Sequence, residues 1–228
     1  MKKTISVIGL GYIGLPTALI LSDSNFHVNG FDIDNENIEQ LKKNNLPFKE
    51  KGLNELFQKV RKQKRFFPSN FLVSADVYII AVPTPVNVKN KLPVPNIRFV
   101  ESAALSIAEH VKKNDLIIIE STVPVGTTKI ISEIIFNKTG LSSEMVDYAY
   151  CPERVLPGNI INELKTNDRV IGGLNEKSAL NASEIYSAFC EGELIKTNSS
   201  CAELVKLSEN SFRDINIAFA NELSILCE

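Results

Sequence analysis

The sequence has no tryptophan, only two histidines and four cysteines, and no two cysteines form a Cys-x-x-Cys pair. Zinc sites are built from clustered cysteine and histidine ligands, so we expect no metal site in this chain. Scattered, unpaired cysteines are typical of proteins in a reducing compartment. The apolar runs of about 20 residues that a membrane helix needs are also missing. We therefore expect a cytoplasmic protein without a membrane span.

An excess of charge of one sign is missing as well. The chain has 25 basic and 27 acidic side chains, which gives a formal net charge of −2. Proteins that bind nucleic acids or anionic membranes usually carry a basic excess, and we expect neither kind of partner for this chain. The hydrophobic share of 44% instead predicts an ordinary globular domain with a substantial core.

Short apolar runs alternate with longer stretches of helical pattern along residues 5–197. The predicted strands are 5–8, 28–32, 77–82, 116–120, 146–151, 169–173 and 194–197. The predicted helices are 13–22, 35–43, 53–64, 97–111, 127–136 and 176–188. Strands without polar alternation are buried on both faces, as in parallel sheets. With right-handed crossovers, this pattern predicts a doubly wound, Rossmann-type α/β fold.

The last third of the chain has a different texture. Residues 152–164 show no clear periodicity, and we predict a long loop there. Residues 199–228 contain neither proline nor glycine, which predicts one long helix. Because this helical pattern continues to the last residue without a stop signal, we expect the chain to be part of a longer protein. The predicted organisation is a dinucleotide-binding domain at 1–198 followed by a connecting helix at 199–228.

A glycine-rich turn follows the first predicted strand and opens the first predicted helix. Gly9, Gly11 and Gly14 have the G-x-G-x-x-G spacing of dinucleotide-binding turns. The first glycine permits the tight bend, the second lets the backbone approach the pyrophosphate, and the third lets the helix pack on the strand. The free N–H groups of the helix start attract phosphates. The turn predicts a dinucleotide site, with an unliganded glycine turn as the alternative.

The choice of dinucleotide depends on Asp32, which ends the second predicted strand. A carboxylate in this place accepts hydrogen bonds from the adenosine ribose hydroxyls. It would repel the 2′-phosphate of NADP, and residues 33–40 contain no arginine or lysine to offset that repulsion. We therefore predict NAD rather than NADP, with a solvated aspartate as the alternative.

Two motifs follow the next predicted strands, at the sheet edge where ligands of doubly wound folds bind. Residues 82–85, Val-Pro-Thr-Pro, would form a rigid loop over the cofactor or a simple turn. Residues 120–128 bring several hydroxyls to the same edge. Thr122 can bind a water or a substrate hydroxyl there. The alternative for this motif is helix capping by Ser121 or Thr127.

A third motif and a helical pair add chemistry to this edge. Glu153 ends a strand and is a candidate acid/base, and Arg154 can pair with a phosphate or carboxylate; the alternative is a loop salt bridge. Lys206 and Asn210 lie at i and i+4, so they share one face of the long helix. Together they can stabilise developing negative charge, although a helical lysine is more often simply solvated.

Taken together, these motifs resemble those of the UDP-glucose/GDP-mannose dehydrogenase family, over essentially the whole chain. The combination is 9–14, 82–85, 120–126, 152–153 and the helix 202–223. Residues 150–158, 167–173 and 209–214 resemble most closely the UDP-N-acetyl-D-mannosamine dehydrogenases of that family. The resemblance implies oxidation of a nucleotide sugar's C6 alcohol to a carboxylate with two NAD, for bacterial surface polysaccharides.

The resemblance also assigns roles to individual residues. It implies that Thr122 and Glu153 position a water and move protons, and that Lys206 and Asn210 stabilise an oxyanion. Arg154 and Arg213 become candidate substrate contacts. The expected cofactor contacts are Gly9, Gly11, Tyr12, Ile13, Gly14, Asp32, Val82, Pro83, Thr84, Ser121 and Thr122.

Two departures from the family pattern change the expected substrate and the expected activity. UDP-glucose enzymes have a second glutamate where this chain has Pro157, which favours an N-acetylhexosamine substrate. The family's nucleophilic cysteine, which traps the aldehyde, and its UDP-binding domain come after the long helix. We expect Cys151 and Cys227 to be packed thiols that do not replace that nucleophile. The isolated chain should therefore bind NAD without completing the oxidation.

Several alternatives stay open on the sequence alone. The substrate can be another UDP-N-acetylhexosamine, such as the glucosamine or galactosamine derivative. The chain can also be a non-catalytic NAD-binding module or remnant, or, less in keeping with residues 152–158, a related hydroxyacid dehydrogenase. Apolar residues along 199–228 predict a homodimer through this helix, or burial against the missing domain.

Overall fold

A computed structural model describes residues 3–89 and 91–227. The first two residues of the predicted N-terminal domain and residue 228, the last of the predicted long helix, lie outside the described residues. In the described ranges the chain forms a large central sheet, a small hairpin and helices on both faces of the sheet.

In chain order, the strands of the central sheet and of the hairpin are β1 (Thr4–Ile8), β2 (His27–Phe31), β3 (Phe66–Ser69), β4 (Val77–Ile80), β5 (Val86–Lys89), β6 (Leu92–Pro95), β7 (Leu116–Ile119), β8 (Asp147–Tyr150), β9 (Arg169–Gly173) and β10 (Leu194–Asn198). The helices are α1 (Gly14–Asp23), α2 (Asn35–Lys42), α3 (Leu53–Gln63), α4 (Arg98–Ala108), α5 (Thr127–Thr139), α6 (Ile160–Thr166), α7 (Glu176–Tyr186) and α8 (Ser199–Cys227).

The central sheet has the order β10-β9-β8-β7-β4-β1-β2-β3. The part from β8 to β3 is parallel throughout and reverses its direction of growth between β1 and β4. This is the doubly wound, Rossmann-type topology that the sequence predicted. Its reversal point brings the carboxyl ends of β1 and β4 side by side, and a crevice forms there.

The prediction of a parallel sheet is wrong for β9, which pairs with β8 in the antiparallel direction. Only two residue pairs join these strands, Ala149 with Gly173 and Tyr150 with Gly172. After β8 the chain stays at the carboxyl edge of the sheet, through a loop and α6, and enters β9 from that edge. No helical crossover returns it to the opposite edge, so the strand runs backwards.

Both faces of the sheet are buried, which explains the uninterrupted apolar strands. In β7, Leu116 and Ile118 belong to the core on one face, whereas Ile117 and Ile119 belong to the core on the other. The first core packs against α1, α3 and α7, and the second against α4 and α5. Because strand side chains alternate between faces, such a strand carries apolar residues at successive positions.

Three elements were not predicted from the sequence. The edge strand β3 contains Pro68, which an edge position tolerates because one side of the strand has no partner. The hairpin β5–β6 is exposed along both strands and contains Pro93 and Pro95, so it lacks the burial pattern of a strand. Helix α6 lies inside the predicted loop 152–164 and is too short to show helical periodicity.

The long helix α8 is only partly packed on the domain. One face of its first two turns is buried, through Ser199, Ala202, Glu203 and Lys206. A methyl group on Gly172 of β9 would lie 2.7 Å from the Cα of Ser199, so the helix start and the strand are in close contact. From residue 211 onward the helix is exposed. Within the described residues, no helix combines the length and the apolar composition that crossing a membrane would require.

The buried carboxyl group of Asp115 predicts a pH-dependent stability. Burial, and secondarily the neighbouring charge of Asp76, raise the pKa of Asp115 to about 6. A carboxyl group whose pKa is higher in the folded than in the unfolded state binds more protons when folded, so its contribution to stability falls as pH rises from about 4 to about 6. Asp115→Asn should be more stable than the wild type above pH 6, by on the order of 2 kcal/mol.

Urea unfolding at several pH values measures this difference. Asp214→Asn, which removes the same charge from the exposed part of α8, should change stability by less than about 0.5 kcal/mol at every pH. A constant difference between Asp115→Asn and the wild type from pH 4.5 to 7.5 would contradict the prediction.

Candidate functional site

The glycine turn between β1 and α1 is packed as tightly as backbone allows. Gly9 has a φ of +93°, and its N–H donates a hydrogen bond of 2.8 Å to the carbonyl oxygen of Phe31 on β2. A methyl group on Gly14 would lie 1.9 Å from the carbonyl oxygen of Gly9. Only glycine fits at these two positions, because any side chain would separate α1 from the strand that it packs against.

Gly11 differs, because a methyl group there would meet no atom within 4 Å. The turn is therefore open on this side, and it faces a cavity of about 550 Å³ at the reversal point between β1 and β4. The cavity is lined by Ile8, Gly9, Gly11, Tyr12, Ile13, Phe31, Asp32, Ile33, Ala81, Val82, Pro83, Phe99, Ser102, Ala103 and Ser106. An open glycine beside a crevice at the switch point fits a dinucleotide.

Asp32 lies on the wall of this cavity, and its carboxylate is fixed in place by two backbone donors. One oxygen accepts from the N–H of Leu10 at 2.7 Å and the other from the N–H of Asp34 at 3.0 Å. The carboxylate is thereby held directly beside the glycine turn. A fixed carboxylate at this position suits the ribose hydroxyls of NAD, and the contact itself stays a prediction.

The sequence reasoning missed the apolar side of the cavity. The side chains of Ile33 and Phe99 line it and are 77% and 44% exposed, although both are large and apolar. Ser102 and Ser106 of α4 add hydroxyls to the same wall. An isoleucine between Asp32 and the polar residues 34–37 is a signal that the sequence did offer. Apolar surfaces of this kind suit a flat, aromatic base.

Four of the predicted cofactor contacts lie outside the wall of this cavity: Gly14, which begins α1, and three residues on loops after β4 and β7. Ser121 is buried, and its hydroxyl donates to the carbonyl oxygen of Val82 at 2.7 Å. It therefore fixes the Val82–Pro83 loop, which does line the cavity. Thr84 and Thr122 are partly exposed. The contacts of all the predicted residues with the cofactor stay predictions.

Thr122 and Glu153 lie at the same edge of the sheet. Strands β7 and β8 are parallel neighbours, and Ile119 pairs with Tyr150. Thr122 comes three positions after Ile119, and Glu153 comes three positions after Tyr150. The register of the two strands therefore places Thr122 and Glu153 on loops that leave the same edge of the sheet. Within the described residues, the hydroxyl of Thr122 makes no hydrogen bond, so it is available to a ligand.

Glu153 and Lys206 form a shielded ion pair between the loop after β8 and helix α8. The ammonium group of Lys206 lies 3.0 Å from the Glu153 carboxylate and 2.6 Å from the Glu153 carbonyl oxygen. Lys206 is only 4% exposed, so the alternative of a solvated lysine is wrong. Asn210 lies one turn further along α8 and is partly exposed. A carboxylate paired with a shielded cation can move a proton and stabilise an oxyanion. The contribution of the Asn210 amide stays a prediction.

The two predicted substrate arginines border one groove. Arg154 forms an ion pair of 2.6 Å with Glu209 of α8, and it donates to the carbonyl oxygen of Asp168 at 3.3 Å. Arg213 lies one turn beyond Glu209 and is exposed. Both arginines line a groove of about 790 Å³ between α8 and residues 166–168. The groove is large enough for part of a nucleotide sugar. Asp168 and Glu209 also line it, and Arg154 is engaged in a salt bridge, so among the described residues Arg213 is the arginine of the two without an ion pair. Substrate contacts of both arginines stay predictions.

Glu203 is a further residue that the sequence reasoning missed. Its fully buried carboxylate accepts hydrogen bonds from the N–H groups of Gly126 and Thr128, at 2.5 and 2.8 Å, and from the Thr128 hydroxyl. It therefore caps α5 from a different helix. The predicted alternative of capping by Ser121 or Thr127 is wrong, because the Thr127 hydroxyl donates to the carbonyl oxygen of Pro124 instead.

Glu120 opens the predicted motif 120–128, but it faces the interior. Its carboxylate accepts hydrogen bonds from the hydroxyls of Tyr186 and Thr17, at 2.7 and 3.2 Å. Burial raises the pKa of Glu120, while the positive charge of Arg169 acts in the opposite direction. The residue joins α1, β7 and α7 and is not available to a ligand.

The cysteines behave in two ways. Cys151 is fully buried, and burial raises the pKa of its thiol to about 11, as expected of a packed and unreactive group. The prediction of a packed thiol is wrong for Cys227, which is exposed near the end of α8. The reason is that this part of the helix extends beyond the domain. No cluster of three or more potential metal ligands occurs among the described residues.

Comparison with protein families identifies the family of this chain. Residues 3–190 match the NAD binding domain of the UDP-glucose/GDP-mannose dehydrogenase family, and residues 200–228 match the central domain of the same family. The chain belongs to the UDP-glucose/GDP-mannose dehydrogenase family. NAD is accordingly its cofactor, in agreement with the open Gly11 and the fixed carboxylate of Asp32.

Members of the family with known structures share the fold closely. The structure of UDP-D-ManNAc dehydrogenase from Pyrococcus horikoshii has a TM-score of 0.93 and 39% identity, covering 98% of this chain and 53% of that one. The UDP-N-acetyl-mannosamine dehydrogenase Cap5O from Staphylococcus aureus has a TM-score of 0.90 and 38% identity, covering 98% and 54%.

A curated relative is also similar to this chain over nearly its full length. The UDP-N-acetyl-D-mannosamine dehydrogenase of Campylobacter jejuni is 45% identical over 98% of this chain and 56% of its own length. The chain thus spans about half the length of the relatives that it matches.

Gly11, which is open, and Gly14, which is tightly packed, should respond differently to substitution by alanine. Gly11→Ala should fold normally, since its methyl group enters open space. Because the methyl group occupies the side of the turn that faces the pyrophosphate, the variant should bind NAD roughly tenfold more weakly or worse, which is at least about 1.4 kcal/mol. Gly14→Ala should destabilise the fold by about 3 kcal/mol through overpacking. Calorimetric titration with NAD and NADP, together with thermal unfolding, measures both effects.

The wild type should bind NAD more tightly than NADP in the same titrations. Unchanged NAD affinity in Gly11→Ala would remove this face of the turn from the cofactor site, and unchanged stability in Gly14→Ala would contradict the packing of α1.

Proposed function

We propose that this chain is the NAD-binding portion of a dehydrogenase that oxidises UDP-N-acetyl-D-mannosamine. The reaction converts the C6 alcohol to a carboxylate with two NAD, and its product supplies surface polysaccharide synthesis. The observation that carries the proposal is the shielded pair of Glu153 and Lys206, at the sheet edge that also carries Thr122. The names of the relatives support the same substrate.

The residues at this edge supply acid/base and electrostatic functions. The Glu153 carboxylate accepts the proton of the reacting hydroxyl, directly or through a water on the Thr122 hydroxyl. The ammonium group of Lys206 and the amide of Asn210 stabilise negative charge on the sugar oxygen. Because Lys206 is nearly excluded from solvent, its charge acts at a lower dielectric constant than in water. NAD, when bound in the cavity, accepts a hydride.

The loop after β8 indicates which class of sugar the enzyme oxidises. Pro157 stands where UDP-glucose enzymes have a second glutamate, and this favours an N-acetylhexosamine. Arg154 and Arg213 border the groove beside this loop, and we assign them to anionic or polar groups of the substrate. The corresponding glucosamine and galactosamine derivatives are the competing substrates.

The 228-residue chain alone should bind NAD without completing the oxidation. Cys151 is buried, with a raised pKa, and the Cys190 thiol donates to the carbonyl oxygen of Asn167. We assign neither to nucleophilic attack on an aldehyde. All four cysteines are free, which fits a reducing compartment, and we propose the cytoplasm.

Activity of the protein expressed from its complete coding sequence tests the proposal. UDP-N-acetyl-D-mannosamine should give two NADH per sugar and a uronic acid, and Glu153→Gln should lower kcat by about 10²- to 10⁴-fold, because it removes the proton acceptor. Glu144→Gln, in the exposed loop before β8, is the matched control and should retain full activity. NADH production is followed by absorbance.

Two results would overturn parts of the proposal. Preference for another UDP-N-acetylhexosamine would change the substrate, and full activity of Glu153→Gln would remove its acid/base role. The same assay on the 228-residue chain should show no NADH above background, although NAD binds.

We also propose a homodimer formed through α8. Five large apolar side chains are exposed on its outer part at spacings of three and four residues, as in a helical packing seam. They are Phe212, Ile215, Phe219, Leu223 and Leu226. A second copy of the same helix has the complementary surface, because a two-fold interface pairs a patch with itself.

Light scattering of the 228-residue chain measures its mass. The wild type should have the mass of two chains, and Phe219→Glu should shift the protein to monomers, since it places a charge in the seam. Asn221→Glu adds the same charge away from the five apolar positions and should leave the dimer intact. A monomeric wild type would contradict the proposal.

A further inference from the structure

Glu50 connects two segments that are distant in sequence and that both belong to the proposed site. It lies in the stretch between α2 and α3, and one of its carboxylate oxygens accepts from the hydroxyl of Tyr12 at 2.5 Å. The same oxygen accepts from the N–H of Gly158 at 3.2 Å. The other oxygen accepts from the N–H of Ile160 at 3.4 Å. A single side chain thus contacts three donors, of which one is 38 residues away and the others more than 100.

On one side of Glu50 is the cofactor turn. Tyr12 is part of the glycine motif and lines the NAD cavity. Its ring packs against Phe48, with 5.0 Å between the ring centroids, so the tyrosine is held from two directions by the stretch that carries Glu50. Any ligand that restricts the turn therefore also restricts the carboxylate that Tyr12 contacts.

On the other side is the loop that carries Glu153. Gly158, with a φ of +100°, ends this loop, and Ile160 opens α6 and is buried in the core beside α1. The start of the loop is fixed by Lys206, through Glu153. Glu50 fixes its far end, and within the described residues no other side chain joins the loop to the glycine turn by a hydrogen bond.

The charge state of Glu50 is consistent with such a contact. The hydrogen bond from Tyr12, followed by those from backbone N–H groups, lowers the pKa of Glu50. Burial, with the neighbouring Glu50 carboxylate, raises the pKa of Tyr12. At neutral pH the pair is therefore a carboxylate that accepts and a phenol that donates, which is a strong type of hydrogen bond.

We propose that Glu50 is a positioning residue that couples the NAD-binding turn to the loop of Glu153. Binding of NAD at the turn stabilises the far end of the loop, and an ordered loop in turn favours NAD binding, since coupling between two sites is reciprocal. The proposal rests on the proposed function in one respect, namely that NAD binds beside Tyr12.

Amide hydrogen exchange at Gly158 and Ile160 in the 228-residue chain, with and without saturating NAD, tests the coupling. In the wild type, NAD should slow exchange at both amides by roughly threefold or more, since protection reports the free energy of local opening. Tyr12→Phe keeps the bonds from Glu50 to the loop but removes the link to the turn, so the NAD-dependent part of the protection should disappear.

Two comparisons separate coupling from a merely structural role. Tyr148→Phe is the matched control, because Tyr148 is buried in β8 and its hydroxyl has no hydrogen-bond partner within the described residues; it should respond to NAD as the wild type does. Glu50→Ala should speed exchange at both amides even without NAD, and Glu50→Gln, which keeps an acceptor oxygen, should restore part of the protection.

The outcomes are distinct. NAD binding to the wild type with no change in exchange at Gly158 and Ile160 would overturn the coupling, as would an unchanged NAD effect in Tyr12→Phe. Absence of NAD binding to the wild type would instead overturn the proposed function on which the inference rests.

Discussion

The ammonium group of Lys206, nearly excluded from solvent at the start of α8, constrains the arrangement of this whole edge of the molecule. An unpaired charge in such a place would cost about 3–5 kcal/mol, so the loop after β8 must bring the Glu153 carboxylate and carbonyl to it. The close backbone contact at Gly172 presses the same helix onto β9. Helix α8 and the strand-end loops are therefore positioned by one another, and the proposed catalytic groups share that placement.

Carboxylates serve two purposes at this edge, and burial separates them. Glu120 and Glu203 are buried and accept hydrogen bonds from other elements: Glu120 links α1 and α7 to the end of β7, and Glu203 joins α8 to α5. Glu153 keeps part of its surface exposed and faces a cation. Glu50 lies between these cases, since its donors come from two functional segments. A glutamate near a strand end is thus a candidate acid/base only where its remaining lone pairs are free.

The predictions from sequence succeeded where a feature is local. The apolar alternation within Leu116–Ile119 implied a strand buried on both faces, and the glycine spacing implied a close helix–strand contact, later seen at Gly14. They failed where the partner is remote. The direction of β9 depends on the edge from which the chain re-enters the sheet. The exposure of Cys227 depends on how far α8 extends beyond the domain.

By itself the sequence determined the doubly wound class, the dinucleotide turn with Asp32, and the motif set that indicates the dehydrogenase family. These depend on periodicity and on residue types at fixed short spacings, which a single sequence displays directly. Only the tertiary structure decided that Lys206 is shielded and paired, that Glu203 caps α5 and that Glu50 reaches both Tyr12 and Gly158. The physical reason is that a side-chain hydrogen bond between residues dozens of positions apart leaves no periodic trace in the chain, because its partners meet only once the elements between them have packed.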